Sequence, residues 1–232
     1  MKFNITTVLL DAGGIILDES EHEKLRAGII VQVLEDIVPG YSISTYYSDV
    51  EEAVNSFSPK LYQFVFWIHL KNDKSLFDRL YASHLERWKQ SKPLLKLSLG
   101  LEDEVRKICR DFKVGIAGQY GHEILDLLAE KSVLDCFSYH LTQDDIFVTK
   151  PDARYCEQIV RTIGVTPQEC IMVGDRIDND IIPAKQLGMK TILIRVGLHK
   201  NQQPRIPSEM PDVELNEVKG LAEAVVKLAR KE

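Results

Sequence analysis

A chain of 232 residues is long enough for one large domain or a domain with an insertion, and 44% hydrophobic with 28% charged residues is the make-up of a water-soluble globular protein. The 29 basic and 35 acidic side chains give a formal charge of -6, and without a strong basic run this excludes a sequence-independent grip on nucleic-acid phosphates. The first apolar run is too short to cross a bilayer and has no basic leader with a small-residue cleavage site, so no membrane partner is expected and the expected compartment is the cytoplasm.

In chain order, Ile5 to Leu10 form an apolar run of strand length. Residues 19–92 then carry four helical patterns and no convincing strand. The first spans roughly Glu19 to Val38 and stops at Pro39-Gly40; the second runs from about Ser44 to Phe57. The third runs from Pro59 to about Leu70, and in the fourth Leu76, Phe77, Leu80, Tyr81, Leu85 and Trp88 recur at helical spacing. The segment L-Y-Q-F-V-F-W-I-H-L, residues 61–70, is apolar nearly all round. It reads as a buried face, with a substrate-lining or self-association surface as the alternatives.

From residue 93 onward helices and strands alternate. The helices are expected at about Leu101–Asp111, Gly121–Lys131, Asp152–Ile163, Asn179–Leu187 and Val218–Ala229. The strands are expected at Lys113–Ala117, near Ser138–Leu141, at Cys170–Val173 and at Thr191–Arg195. This alternation implies an α/β class: a Rossmann-like, doubly wound parallel sheet with helices on both faces. The core is expected over residues 1–18 and 93–232, with an all-α-helical cap inserted at 19–92. Cys109, Cys136, Cys156 and Cys170 show no C-x-x-C spacing and read as reduced thiols inside regular elements.

In an open parallel sheet, ligands sit outside the carboxyl ends of the strands, so the polar residues at those ends are the candidates. Asp11 follows the first strand. Ala117 and Gly118 end the second, Lys150 lies in T-K-P-D, and Asp175, Asn179 and Asp180 lie in G-D-R-I-D-N-D after Met172-Val173. Taken singly, an aspartate after a strand is a common turn or cap residue. Together, three carboxylates on one rim repel one another unless a cation joins them, and an all-oxygen set suits Mg2+. A lysine beside them provides a fixed positive charge for a phosphoryl group.

These stretches resemble the haloacid dehalogenase (HAD) superfamily of hydrolases: V-L-L-D-A-G-G at the first strand, T-K-P-D-A-R-Y, then V-G-D-R-I-D-N-D-I-I-P-A-K-Q-L-G-M. The helical insertion is similar to the cap of that superfamily's smaller phosphatases. The resemblance implies that Asp11 attacks phosphorus and forms an aspartyl-phosphate, and that Lys150 holds Asp11 and the phosphoryl oxygens. It implies magnesium bound by Asp11, the Gly13 carbonyl, Asp175 and Asp180, with Asn179 completing or orienting the site. Gly13, Gly14, Ala117 and Gly118 would lie at the phosphoryl group, with backbone N–H groups of the glycines as donors. The implied partner is a small phosphorylated substrate, and the implied state a monomer or homodimer.

Three positions depart from the pattern. Gly13 stands where the phosphatases carry a second aspartate as general acid and base, Ile15 where a threonine is usual, and Ala117 where a hydroxyl is usual. Three readings stay open. One is a phosphatase acting on a good leaving group, or drawing its acid from cap residues such as His22, Glu23, His69 or His84. The second is a non-catalytic relative that binds metal or phosphate. The third is a carbon–halogen or carbon–phosphorus hydrolase. The acidic pair Asp175 and Asp180 counts against the dehalogenase branch, and nothing marks Lys24 or Lys60 as the Schiff-base lysine of the phosphonate branch.

Overall fold

A computed structural model describes residues 4–91, 93–142 and 145–230. The chain divides into two compact units, Met1–Asp18 with Leu95–Glu232, and Glu19–Leu94. Residue 92, the expected end of the helical insertion, lies outside the described residues, as do the expected outer limits of the core at 1 and 232.

The first unit is built on six parallel strands: β1 (Thr7–Leu10), β2 (Lys113–Ile116), β3 (Phe137–Tyr139), β4 (Cys170–Gly174), β5 (Lys190–Ile194) and β6 (Val213–Leu215). Their spatial order is β3-β2-β1-β4-β5-β6, so the chain winds outward from β1 in one direction and from β4 in the other. The switch between the two directions lies between β1 and β4, where Leu10 pairs with Val173. That crevice is where such sheets bind ligands.

Alternation along the strands fills two cores. Val8 and Leu10 of β1, with Ile171 and Val173 of β4, pack on one face against α5 (Leu101–Ile108), α6 (Glu123–Glu130) and α9 (Leu221–Ala229). Leu9 and Met172 turn the other way, toward Tyr155, Cys156, Ile159 and Val160 of α7 (Arg154–Ile163) and Ala184 of α8 (Ile182–Gln186). A parallel strand covered on both faces reads as a nearly continuous apolar run, and T-V-L-L and C-I-M-V-G are buried at every position.

Two features differ from the sequence expectation. The sheet has a sixth strand, β6, whose three residues V-E-L pair with Ile192 to Ile194 at the edge. The helix expected from Asn179 to Leu187 opens instead as a π turn over Ile177–Ile181, with Ile181 N–H donating to Arg176 O at 3.3 Å. Pro183 follows at once; lacking an N–H, it cannot donate the i→i−4 bond that a regular α-turn over this stretch needs.

The second unit holds four helices, α1 (Ser20–Leu34), α2 (Ile43–Asn55), α3 (Leu61–Leu70) and α4 (Lys74–Ser91). Each packs on the next, and α4 returns to α1. α1 ends before its expected limit at Val38, and the residues ahead of Pro39 form a turn in which Val38 N–H donates to Leu34 O at 2.8 Å. A residue before proline is driven out of helical backbone geometry, which favours an early stop. In α3, Leu61, Val65, Phe66 and Leu70 are buried, whereas Trp67 is 46% exposed. No helix of the described residues is long and apolar enough to cross a membrane.

His84 of α4 is fully buried among Tyr62, Phe66 and Tyr81. Burial, aided by the charge of Arg26, pushes its imidazole down to about 4. Between that value and the ordinary 6.5 the unfolded chain binds the proton and the folded one does not, so acid favours unfolding. From pH 7 to pH 4 this group should remove up to about 3 kcal/mol of stability. Urea melts across that range should show His84→Phe losing less stability in acid than the parent by that margin; parallel curves for the two proteins would contradict it.

Candidate active site

The loops that leave the carboxyl ends of β1 and β4 meet at the topological switch. Asp11 N–H still donates to Val173 O at 2.9 Å, which fixes the carboxylate directly beyond the sheet. Lys150 arrives from the segment before α7. Its Nζ donates to Asp11 Oδ1 at 2.6 Å and to Asp180 Oδ1 at 2.6 Å. These two ion pairs are largely shut off from water: the side chains are 3% exposed for Lys150, 14% for Asp11 and 1% for Asp180. Burial alone would lower the lysine's pKa, but the carboxylates of Asp11 and Asp180 outweigh it and hold the ammonium charged, well above the usual range. Burial also pushes the Asp180 carboxyl up to about 6, with the Asp11 charge adding to the rise and Lys150 opposing it.

One ligand oxygen from each of Asp11, Asp175 and Asp180 lies within 4.8 Å of the other two. Local backbone makes room for this cluster. A Cβ at Gly174 would stand 2.3 Å from Asp180 Cγ, and one at Gly14 would stand 2.9 Å from Asp175 Oδ2. Gly14 also takes φ +72°, which L side chains rarely adopt. The backbone N–H of Arg176 donates to Asp180 Oδ2 at 3.1 Å, so the π turn itself orients the buried carboxylate.

The sequence candidates therefore separate. Asp11, Lys150, Asp175 and Asp180 come together, and Gly13 and Gly14 lie in the turn that follows Asp11. Asn179 sits in the π turn with its Oδ1 buried and, among the described residues, without a hydrogen-bond partner. Gly118 is pressed against the backbone of Ala12, where a Cβ would lie 2.5 Å from Ala12 N. Ala117 follows β2 directly, at the strand end where the sequence places it. Its methyl joins the apolar core and its N–H is committed to Leu10 O at 2.7 Å, so it has no donor left for a phosphoryl group.

Sequence reasoning missed the support beneath the acidic loop. The Arg176 guanidinium grips Asp178 (Nη2 to Oδ2, 2.6 Å), while buried Gln202 donates to Asp178 Oδ1 at 3.1 Å and accepts from Ile177 N–H at 2.7 Å. Gln202 lies beyond β5, far along the chain from the motif it braces, and no spacing rule points to it.

The doubly wound parallel sheet thus carries at its switch point three clustered carboxylates, two of them bonded to a buried lysine. Residues 147–221, about a third of the chain, match the family model described as HAD-hydrolase-like. A glyceraldehyde 3-phosphate phosphatase of Methanopyrus kandleri is 37% identical over 87 residues, 38% of this chain and 37% of the relative, so the match spans well under half of either protein. Among solved structures, a predicted phosphoglycolate phosphatase from Haemophilus somnus has the same fold with TM-score 0.71 at 14% identity, covering 97% of this chain and 100% of its own. The HAD-hydrolase YfnB of Bacillus subtilis, solved bound to magnesium, gives TM-score 0.64 at 16% identity, covering 98% and 99%. The chain thus shares the fold of these solved structures over nearly its whole length, and its residues 147–221 are similar to the HAD-hydrolase-like family.

Proposed function

We propose that this protein is a magnesium-dependent phosphatase that hydrolyses a small phosphorylated metabolite through a phosphoaspartyl intermediate on Asp11. The observation that carries the reading is the buried Lys150 ammonium bonded at 2.6 Å to both Asp11 and Asp180, with Asp175 in the same cluster. The names of the matched relatives, phosphatases of small esters, point the same way. The family match holds Lys150, Asp175 and Asp180 but not Asp11 or Gly13, so the relatives' substrates are not carried over.

A divalent cation fits the residues present. Three carboxylates and one ammonium leave a formal excess of two negative charges, the donors are all hard oxygens, and Asn179 Oδ1 is a buried acceptor without a proton donor among the described residues. Asp11, Asp175 and Asp180, with Asn179 and the Gly13 carbonyl, would hold it. When bound, the ion supplies positive charge for the phosphoryl oxygens.

In the proposed reaction an Asp11 oxygen attacks phosphorus as the bond to the leaving-group oxygen breaks. Water then attacks the phosphorus of the acyl phosphate, releasing inorganic phosphate and restoring the Asp11 carboxylate. Lys150 fixes the Asp11 rotamer and offsets charge on the transferred group. Gly13 provides no proton, so the leaving group must depart readily, as from an acyl, aryl or anomeric phosphate.

The test compares aryl with simple alkyl phosphates, with and without magnesium. Magnesium-dependent hydrolysis of p-nitrophenyl phosphate, with weak turnover of alkyl esters, is expected. The absence of a side chain at Gly13 also favours a second reading, a non-catalytic metal or phosphate binder. Metal binding without hydrolysis of either ester would establish it. Gly13→Asp should raise alkyl-phosphate turnover by about 100-fold, the lower end of what a positioned general acid contributes. An unchanged ratio of alkyl to aryl rates would remove the missing-acid argument.

A further inference from the structure

The four-helix unit contains an arginine held against two aromatic rings. The Arg26 guanidinium of α1 lies over two aromatic rings, 3.7 Å from the Trp88 centroid and 4.3 Å from the Tyr62 centroid. Stacking of this kind uses the faces of the guanidinium and leaves its N–H donors in the plane. Among the described residues no side chain or backbone carbonyl hydrogen-bonds to it or forms an ion pair with it. The setting is unlike that of Arg79 and Arg87 in the same unit, which are exposed, where water satisfies the donors; Arg26 is half-buried.

The obvious partner is turned elsewhere. Glu23, one turn before Arg26, accepts from Tyr46 Oη at 2.7 Å through one oxygen and from Tyr62 Oη at 3.0 Å through the other. These bonds hold the Tyr62 ring in place for the stack, and the Glu23 carboxylate acts on Arg26 by its charge without a hydrogen bond to the fork. A second polar group in the same cluster is also unmatched. His84, 0% exposed, packs against Tyr62 at 6.2 Å between centroids, and neither of its ring nitrogens has a hydrogen-bond partner among the described residues. Burying a polar ring and half-burying a guanidinium without acceptors is unfavourable, and an apolar substitute would be cheaper if packing were their whole purpose.

We propose that Arg26, held by Tyr62 and Trp88, forms an oxyanion-binding site in the helical unit that takes a carboxylate or a phosphate group through paired guanidinium N–H donors. Both groups match the planar fork, and lysine would not. The site uses residues of this unit only and is independent of the phosphatase reading.

Trp88 supplies the readout. In Trp67→Phe it is the one tryptophan left, because the chain has two. Titration of that protein with inorganic phosphate, acetate or succinate, at ionic strength matched with chloride, should give a saturable change in Trp88 emission that chloride does not reproduce. The anion that saturates identifies the group bound. Arg26→Gln and the charge-retaining Arg26→Lys, each introduced into the Trp67→Phe protein and confirmed folded by circular dichroism, should bind at least about tenfold more weakly, since charge-assisted hydrogen bonds are worth that much. The response should persist when Lys150→Ala is added and the protein is confirmed folded by circular dichroism, which separates this site from the Asp11 cluster. No saturable change with any of the three anions would overturn the proposal, as would a response that Arg26→Gln retains or Lys150→Ala removes.

Discussion

Asp11→Asn should lower the turnover of p-nitrophenyl phosphate by roughly 10⁴-fold or more, the scale on which loss of a covalent nucleophile acts. The fold should hardly register the change. An asparagine oxygen still accepts from Lys150 Nζ, Lys150 keeps its 2.6 Å bond to Asp180, and one negative charge leaves a crowded acidic cluster. The melting temperature should therefore stay level or rise slightly. Full activity in this variant would end the assignment of Asp11. Lost activity with a collapsed melt would show Asp11 to be a structural residue instead.

Lys150→Met should act on stability and chemistry together. The ammonium is the counter-charge, among the described residues, that bonds both Asp11 and Asp180 inside the site. Removing one member of a buried ion pair leaves the others uncompensated and destabilises by about 3–5 kcal/mol. For a chain of this size that is a fall in melting temperature of very roughly 10 °C. Phosphatase activity should fall by about 10³-fold, as when a preorganised charge is removed from a transition state. Millimolar magnesium should restore part of the lost stability if the three carboxylates form a cation site. A melting curve that neither drops in the variant nor responds to the ion would contradict this view of the cluster.

The residues behind these two predictions were legible in the sequence because each obeys a local rule. Asp11 ends an apolar strand, Asp175 ends another, and Lys150 precedes a proline at a helix entrance. Strands buried on both faces read as continuous apolar runs, so β1, β2, β4 and β5 were recognisable. β6 was not: Val213–Leu215 is three residues long, carries a glutamate at its centre and forms an edge, so neither length nor periodicity sets it apart. The π turn was hidden because no residue type in I-D-N-D-I distinguishes a π from an α turn, and the wider turn shows in the backbone bonds from Ile181 to Arg176 and from Ile182 to Ile177.

Long-range pairings were beyond reach for a different reason. Gln202 braces Asp178 across 24 positions, and Arg26 meets Trp88 from the opposite end of the helical unit. Nothing in local sequence encodes which helix faces will touch. Ala117 shows the converse limit. Its place at a strand end was correctly read, but only the structure shows that its N–H is committed to β1.

The central claim is that Asp11 itself carries the phosphoryl group. Quenching the enzyme with acid during turnover of p-nitrophenyl phosphate in magnesium, reducing it with borohydride and sequencing the peptides by mass spectrometry tests this directly. The expected result is homoserine at position 11 in a fraction of molecules, absent without substrate and absent in Asp11→Asn. Rapid turnover with unmodified aspartate at position 11, or with the modification at another carboxylate, would contradict it.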